Sequence, residues 1–359
     1  MRRVVALLLS LLLAGCSEEP GDQGFAGLAA DGATGDYLQP AAGDELVFPE
    51  DFGPHPQHRI EWWYLTANLQ TPDGNPVGLQ WTQFRQAIRP RAPEASPPDP
   101  SSWALTAAWM AHAAVSVDGQ HYFAEKLARA DVGHAGAMPD PLSVWLDDWQ
   151  LTQKAPGQWH LSVAAPGWGY DLTLFISGEP IAHGDHGFSA KSASGEGSMY
   201  FSLVDIRIEG QITAGGQTLT VSGKGWFDRE WSSQLLKTGQ QGWDWFALHL
   251  DSGDKLMAFQ LREEAGGFRS GTWLPAGGDP VALAPDDLIL SPERFRNGHP
   301  TRWRLQVPAR DLDLSVQALP GDYRNDGQFP YWESPVRVQG SHSGVGYMEL
   351  TGYQGESGR

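Results

Sequence analysis

Cysteine is almost absent. Cys16 is the single one among 359 residues, so no intramolecular disulfide can staple the fold, and stability must come from a packed core. Basic residues are also scarce. The 25 Lys and Arg stand against 43 Asp and Glu, for a net charge of −18. That balance argues against a basic surface for nucleic acid or anionic lipid, and no nucleic-acid partner is expected. Long apolar runs are missing too: residues 4–12, broken only by Ser10, fall short of the roughly 20 residues a spanning helix needs. Sequence motifs for common chemistries are lacking as well. There is no Gly-x-Ser-x-Gly elbow, no His-Glu-x-x-His, and no Gly-rich phosphate loop opening a helix. Ser189-Ala190-Lys191 has the wrong spacing for Ser-x-x-Lys. The pairs His183/His186 and His112/His121 are read as turn residues rather than ligands, so neither a metal nor a cofactor is expected.

What is present at the N-terminus reads as a lipoprotein signal. Arg2 and Arg3 precede the short apolar run, and Leu13-Ala14-Gly15-Cys16 closes it with small residues. Residues 1–15 are therefore expected to be removed, leaving Cys16 to carry the lipid that anchors the chain to a membrane. Ser17, rather than Asp, follows the cysteine. That choice favours the outer membrane of a Gram-negative cell, with the body facing the periplasm. Residues 16–40 are expected to include a Gly-, Ala- and acid-rich tether without periodicity.

Beyond the tether, apolar/polar alternation dominates. Turn signals at Pro72-Asp73-Gly74-Asn75, Val117-Asp118-Gly119-Gln120 and Asp251-Ser252-Gly253-Asp254 each sit between strand-like runs. Few windows hold a 3.6-residue period. Many short strands with Gly and Pro punctuation predict an all-β fold, sandwich or barrel. A Pro-rich interruption at residues 89–102 is expected to be a loop between two strands. The 16 tryptophans imply aromatic-filled barrels or aromatic-lined pockets.

Four blocks set carboxylates among aromatic rings: His58-Arg59-Ile60-Glu61-Trp62-Trp63-Tyr64; Gly225-Trp226-Phe227-Asp228-Arg229-Glu230-Trp231; Gly242-Trp243-Asp244-Trp245-Phe246; and Tyr331-Trp332-Glu333 with Gly346-Tyr347-Met348-Glu349. In that order, over residues 45–353, they resemble the AttH/carotenoid 1,2-hydratase family. The resemblance implies two packed lipocalin-like β-barrel domains, expected at residues 41–225 and 226–359, each enclosing an apolar cavity. It also implies a hydrophobic, isoprenoid- or lipid-like small molecule as ligand. In the hydratases an Asp acts as acid with an aromatic residue two positions before it, a pattern that falls here on Asp228 and Trp226. The family's aromatic there is typically Tyr, so Trp226 is a departure.

Hydrating an isolated C=C needs a carboxylic acid that keeps its proton near neutral pH, which burial achieves. Aromatic faces then stabilise the cation by about 0.5–2 kcal/mol each. Asp228 and Trp226 are thus the candidate catalytic pair, and Trp243, Trp245, Glu61, Trp63 and Tyr64 the candidate ligand contacts. Two other readings stay open. Asp228 pairs with Arg229 or Arg85 in a structural corner, with its pKa depressed; or the chain is a non-catalytic lipid carrier or accessory lipoprotein of an export complex. Glu61 by itself suits a buried structural carboxylate bound to an arginine or to backbone amides, and Glu333 and Glu349 read as scaffold.

Overall fold

The computed structural model describes residues 37–90, 105–234, 239–263 and 266–353. Cys16, the expected signal and residues 91–102 of the Pro-rich stretch lie outside them. Among the described residues the only helices are two single 3-10 turns, and the remainder is strand and connection.

Strands β1 (Ile60–Gln70), β2 (Pro76–Ala87), β3 (Ala107–Val117) and β4 (Gln120–Arg129) form one antiparallel meander. A second runs through β5 (Ala135–Pro139), β6 (Leu142–Leu146), β7 (Trp149–Ala155), β8 (Gln158–Ala165) and β9 (Trp168–Ile176). Two short pieces follow, β10 (Ile181–Ala182) and β11 (Phe188–Ala190). The long β12 (Gly197–Ala214) and β13 (Gln217–Ser232) then insert between the meanders. The order is β4-β3-β2-β1-β13-β12-β9-β8-β7-β6-β5. The turns explain the hairpins: Asp118 and Gly119 both take positive φ, 52° and 75°, the backbone a tight two-residue turn requires.

This first sheet curls into a nearly closed barrel. Its edges β4 and β5 share no ladder, and side chains close the seam. Gln83 donates to the carbonyls of Gly136 (3.3 Å) and Trp145 (2.9 Å), and Lys126 pairs with Asp148. Inside, Trp63, Leu65, Leu79, Trp81, Trp149, Leu161 and Leu172 pack as one buried core, each worth roughly 1.5–3 kcal/mol in transfer energy.

The second sheet is a half-barrel. It comprises β14 (Gln240–Leu250), β15 (Lys255–Glu263), β16 (Phe268–Leu274), β17 (Val281–Leu283), β18 (Ile289–Arg296), β19 (His299–Val307), β20 (Leu312–Ala318), β21 (Arg324–Asn325), β22 (Tyr331–Gly340) and β23 (Gly344–Leu350). The order is β17-β16-β15-β14-β23-β22-β20-β19-β18. Phe246, Leu248, Trp303, Leu314, Trp332 and Met348 fill its concave side. The chain is thus all-β, two packed lipocalin-like domains.

Two boundaries differ from the sequence expectation. The 225/226 division cuts β13, whose ladder with β1 continues to Ser232; the sheets part between Ser232 and Gln240. The body also begins before residue 41. Leu38 donates its amide to Gln57 and accepts from the Ser233 hydroxyl, which ties this segment to the first barrel.

The two sheets meet along β1, β2, β12 and β13 on one side and β14, β15, β22 and β23 on the other. Asn68 donates to the Gly346 carbonyl at 2.9 Å. A bulge in β12 between Leu203 and Ile206 turns the Val204 carbonyl outward, where His249 bonds it at 2.8 Å. The apolar part of this seam joins Tyr64, Tyr200, Val204 and Trp226 to Trp245, Ala247, Met257, Phe259 and Tyr347.

Candidate acid–base site between the barrels

Strand alternation decides which groups meet. Along β13, Phe227 points into the first core and Arg229 lies over the Trp63 ring at 3.9 Å. Trp226, Asp228 and Glu230 therefore face the second barrel. On β1 the same rule turns Glu61, Trp63 and Leu65 inward, and Trp62 and Tyr64 outward.

The outward groups line a pocket of about 90 Å3 between the sheets, room for several water molecules. Asp228, Tyr64, Tyr200, Glu230 and Lys191 come from the first domain, and Trp243, Trp245, Phe259, Leu261 and Glu349 from the second. This corrects the expectation of a ligand cavity inside a barrel. Large side chains fill the first barrel's interior, and the acids gather in the seam.

Asp228 accepts three hydrogen bonds. Tyr200 donates at 2.8 Å to Oδ2; the Trp226 indole at 2.7 Å and the Ser202 hydroxyl both donate to Oδ1. The carboxyl is fully buried, and burial pushes its pKa up to about 7. The three donors act the other way but are outweighed, and nearby Glu230 adds to the rise. Among the described residues no Lys, Arg or His pairs with Asp228. Arg85 and Arg229 both clasp Glu61 instead, so the structural-corner reading of Asp228 is not what the chain builds.

Each hydroxyl donor to Asp228 is bonded onward. Tyr200 oxygen accepts from Trp245 Nε1 at 3.2 Å, and Ser202 oxygen meets His183 Nε2 at 2.6 Å. His183 Nδ1 lies 2.8 Å from the Thr272 hydroxyl. Burial, then the charge of Lys191, lowers the His183 pKa to about 3, so the ring is neutral. When Asp228 is protonated it must itself donate, and either hydroxyl can reverse to receive that bond; the Trp226 N–H cannot. Lys191 sits at the pocket edge, 4.5 Å from the Phe259 ring centre and 3.0 Å from Glu230.

Of the residues singled out in the sequence, the fold gathers Asp228, Tyr64, Trp243 and Trp245 around the pocket, with Trp226 behind Asp228. Glu61 and Trp63 stand apart and do not line the pocket. Period-two alternation turns both into the first barrel. There Trp63 stacks on Trp109 and donates to the Phe52 carbonyl at 2.8 Å. Burial alone would raise the Glu61 pKa, but Arg85 and Arg229 outweigh it and hold the carboxyl well below its usual range.

Sequence reasoning missed Tyr200 and Ser202. The alternating Ser198-x-Tyr200-x-Ser202 run was their only signal. Glu349 was read as scaffold, yet it lines the pocket, accepts from Trp243 Nε1 at 2.6 Å, and has its pKa raised by burial to about 7.

The profile of the AttH-like family matches residues 39–353. The chain belongs to the AttH-like family. A protein from Nitrosomonas europaea assigned as an AttH has a crystal structure that superposes with a TM-score of 0.78 at 32% identity, covering 88% of this chain and 99% of that one. Kievitone hydratase from Nectria haematococca shares the fold, with a TM-score of 0.67 at 14% identity over 89% of this chain and 98% of its own. No curated protein sequence matches.

Proposed function

We propose that this AttH-like chain is a cofactor-independent enzyme of the hydratase/lyase type, with Asp228 donating the proton to an uncharged, isoprenoid- or lipid-like molecule. The observation that carries this reading is a carboxyl buried among indole and phenol rings, with no cationic partner among the described residues and a pKa near neutrality. A neutral carboxylic acid can protonate a C=C. Trp243, Trp245 and Phe259 then offer π faces to the developing cation, and water completes the addition. The pocket volume suits the reacting end of a molecule rather than its whole length. The hydratase with the same fold lends support by likeness only. The N-terminal pattern ending at Cys16 supports anchoring to the outer membrane, with the body in the periplasm.

The test is a panel of terpenoid alkenes and tertiary alcohols incubated in deuterated water and read by mass spectrometry. Wild type should add or remove one water on a member of the panel. Asp228→Asn should lose that turnover while still binding. Full turnover by Asp228→Asn would refute the reading.

Trp226 favours a second reading, a non-catalytic carrier or accessory lipoprotein of an export complex. Its N–H donates permanently to Asp228 and cannot pass a proton as a phenol can. A co-purified apolar molecule returned unchanged after incubation would support that carrier.

A further inference from the structure

A second cluster of acids opens onto the same pocket from the other domain. Glu333 on β22 and Glu349 on β23 are opposed ladder partners. Tyr64, on β1 of the first domain, donates its phenol proton to Glu333 Oε1 and lies against the Glu349 carboxyl. Glu333 is fully enclosed, and Tyr331 as well as Tyr64 hydrogen-bonds its carboxyl. Glu349 faces the pocket and accepts from Trp243. Among the described residues neither glutamate forms an ion pair with Lys, Arg or His. The titratable groups facing them are Tyr64 on β1, Tyr170 on β9, Glu230 on β13, Tyr331 on β22 and Tyr347 on β23. Lys191 reaches this set only through Glu230.

We propose that Glu349, Tyr64 and Glu333 form a proton relay that lets Glu349 take a proton from, or return it to, a group bound opposite Asp228. This rests on the pocket's reading as an acid–base site and names its second member. Two adjacent buried carboxyls without a cation cannot both ionise, so the pair keeps one proton. With that proton on Glu349, its O–H donates to the Tyr64 oxygen while Tyr64 donates to Glu333. When the Glu349 proton passes to Tyr64 and the phenol proton passes to Glu333, Glu349 becomes the carboxylate, Glu333 the neutral acid, and Tyr64 is unchanged. No proton leaves the protein and no charge is created. In a hydration, Asp228 loses its proton to carbon, water oxygen bonds the other carbon, and the water proton goes to Glu349. Solvent returns a proton to Asp228 and removes one from Glu349. Such a pocket takes an uncharged ligand bearing or acquiring a hydroxyl, because aromatic rings and carboxyl groups make up most of its wall and its one lysine, Lys191, is already paired with Glu230.

The test needs no ligand. Infrared spectra of the full chain at about pH 9 should show one retained protonated carboxyl, since Asp228 and Glu349 are ionised there. Glu333→Gln should remove that band and Glu349→Gln should keep it. In deuterated water the band should shift quickly, and Tyr64→Phe should slow that exchange by about tenfold or more, as loss of a positioned proton carrier predicts. Should Glu333→Gln not fold, wild type against Tyr64→Phe still decides. No retained acid at that pH, a band indifferent to Glu333→Gln, or an exchange rate indifferent to Tyr64→Phe would overturn the relay. Subtracting Asp228→Asn spectra isolates the Asp228 signal, so failure of the relay and failure of Asp228 as acid register separately.

Discussion

Replacing Asp228 with asparagine should make the protein's stability less sensitive to pH, by an amount the site's electrostatics fix. In the unfolded chain the carboxyl titrates at 3.8, and in the fold at about 7. Between those values the folded state binds the proton that the unfolded state has released. Stability is therefore whole below 3.8, is lost as pH rises, and the loss is complete above about 7. At 1.36 kcal/mol per pH unit the full effect is about 4 kcal/mol, of which about 3 falls between roughly pH 4.5 and pH 8. Asparagine has no such titration. Its amide oxygen can keep the Ser202 and Trp226 bonds, and Tyr200 can turn to accept from its nitrogen. Urea unfolding of both proteins across that interval measures the difference, and all other titrating groups cancel. The variant should gain about 3 kcal/mol relative to wild type as pH rises. A constant difference would mean that Asp228 is already ionised at low pH, as a carboxylate beside a cation would be, and the account of the site would fall.

Glu61→Gln should cost about 3–5 kcal/mol in urea unfolding, because it leaves the buried Arg85 and Arg229 without their shared carboxylate; the Asp228 titration, on the opposite face, should not move. Gly78→Ala should cost about 1–3 kcal/mol. Its new Cβ would lie 2.7 Å from both Pro335 Cγ and the Tyr347 hydroxyl, where the two domains touch. Ser202→Ala removes a donor that lowers the Asp228 pKa, so NMR titration of that carboxyl should show its midpoint rise above 7.

Much of the architecture was legible because turn chemistry is local. Asp118-Gly119 fixes a hairpin by its own backbone preferences, and the alternation of Trp303–Val307 residues shows a strand with one buried face. The ends of β13 were harder. Residues 225–232 are buried on both faces, so no alternation marks where one domain stops. The Trp226-x-Asp228 pair was visible through family resemblance, but its protonation state was not. Even so, Asp228 and Arg229 are adjacent on a strand and must point to opposite faces, which alone separates that acid from that base. The seam groups were illegible for a different reason. Tyr200 and Tyr64 reach Asp228 only through long-range ladders of the first sheet, and Glu349 joins them only when the two domains dock, events no local pattern encodes. Glu61 shows the converse: a carboxylate amid tryptophans reads the same in sequence whether it faces a pocket or an arginine.

The central claim is that Asp228 holds its proton near neutral pH in the seam between the domains, and the infrared difference between wild type and Asp228→Asn tests it most directly. The wild-type-minus-variant spectrum should hold a protonated-carboxyl band at about pH 6 that fades with a midpoint near 7, while the bands of the other buried acids cancel. A carboxylate signal from Asp228 already complete at about pH 5 would contradict it.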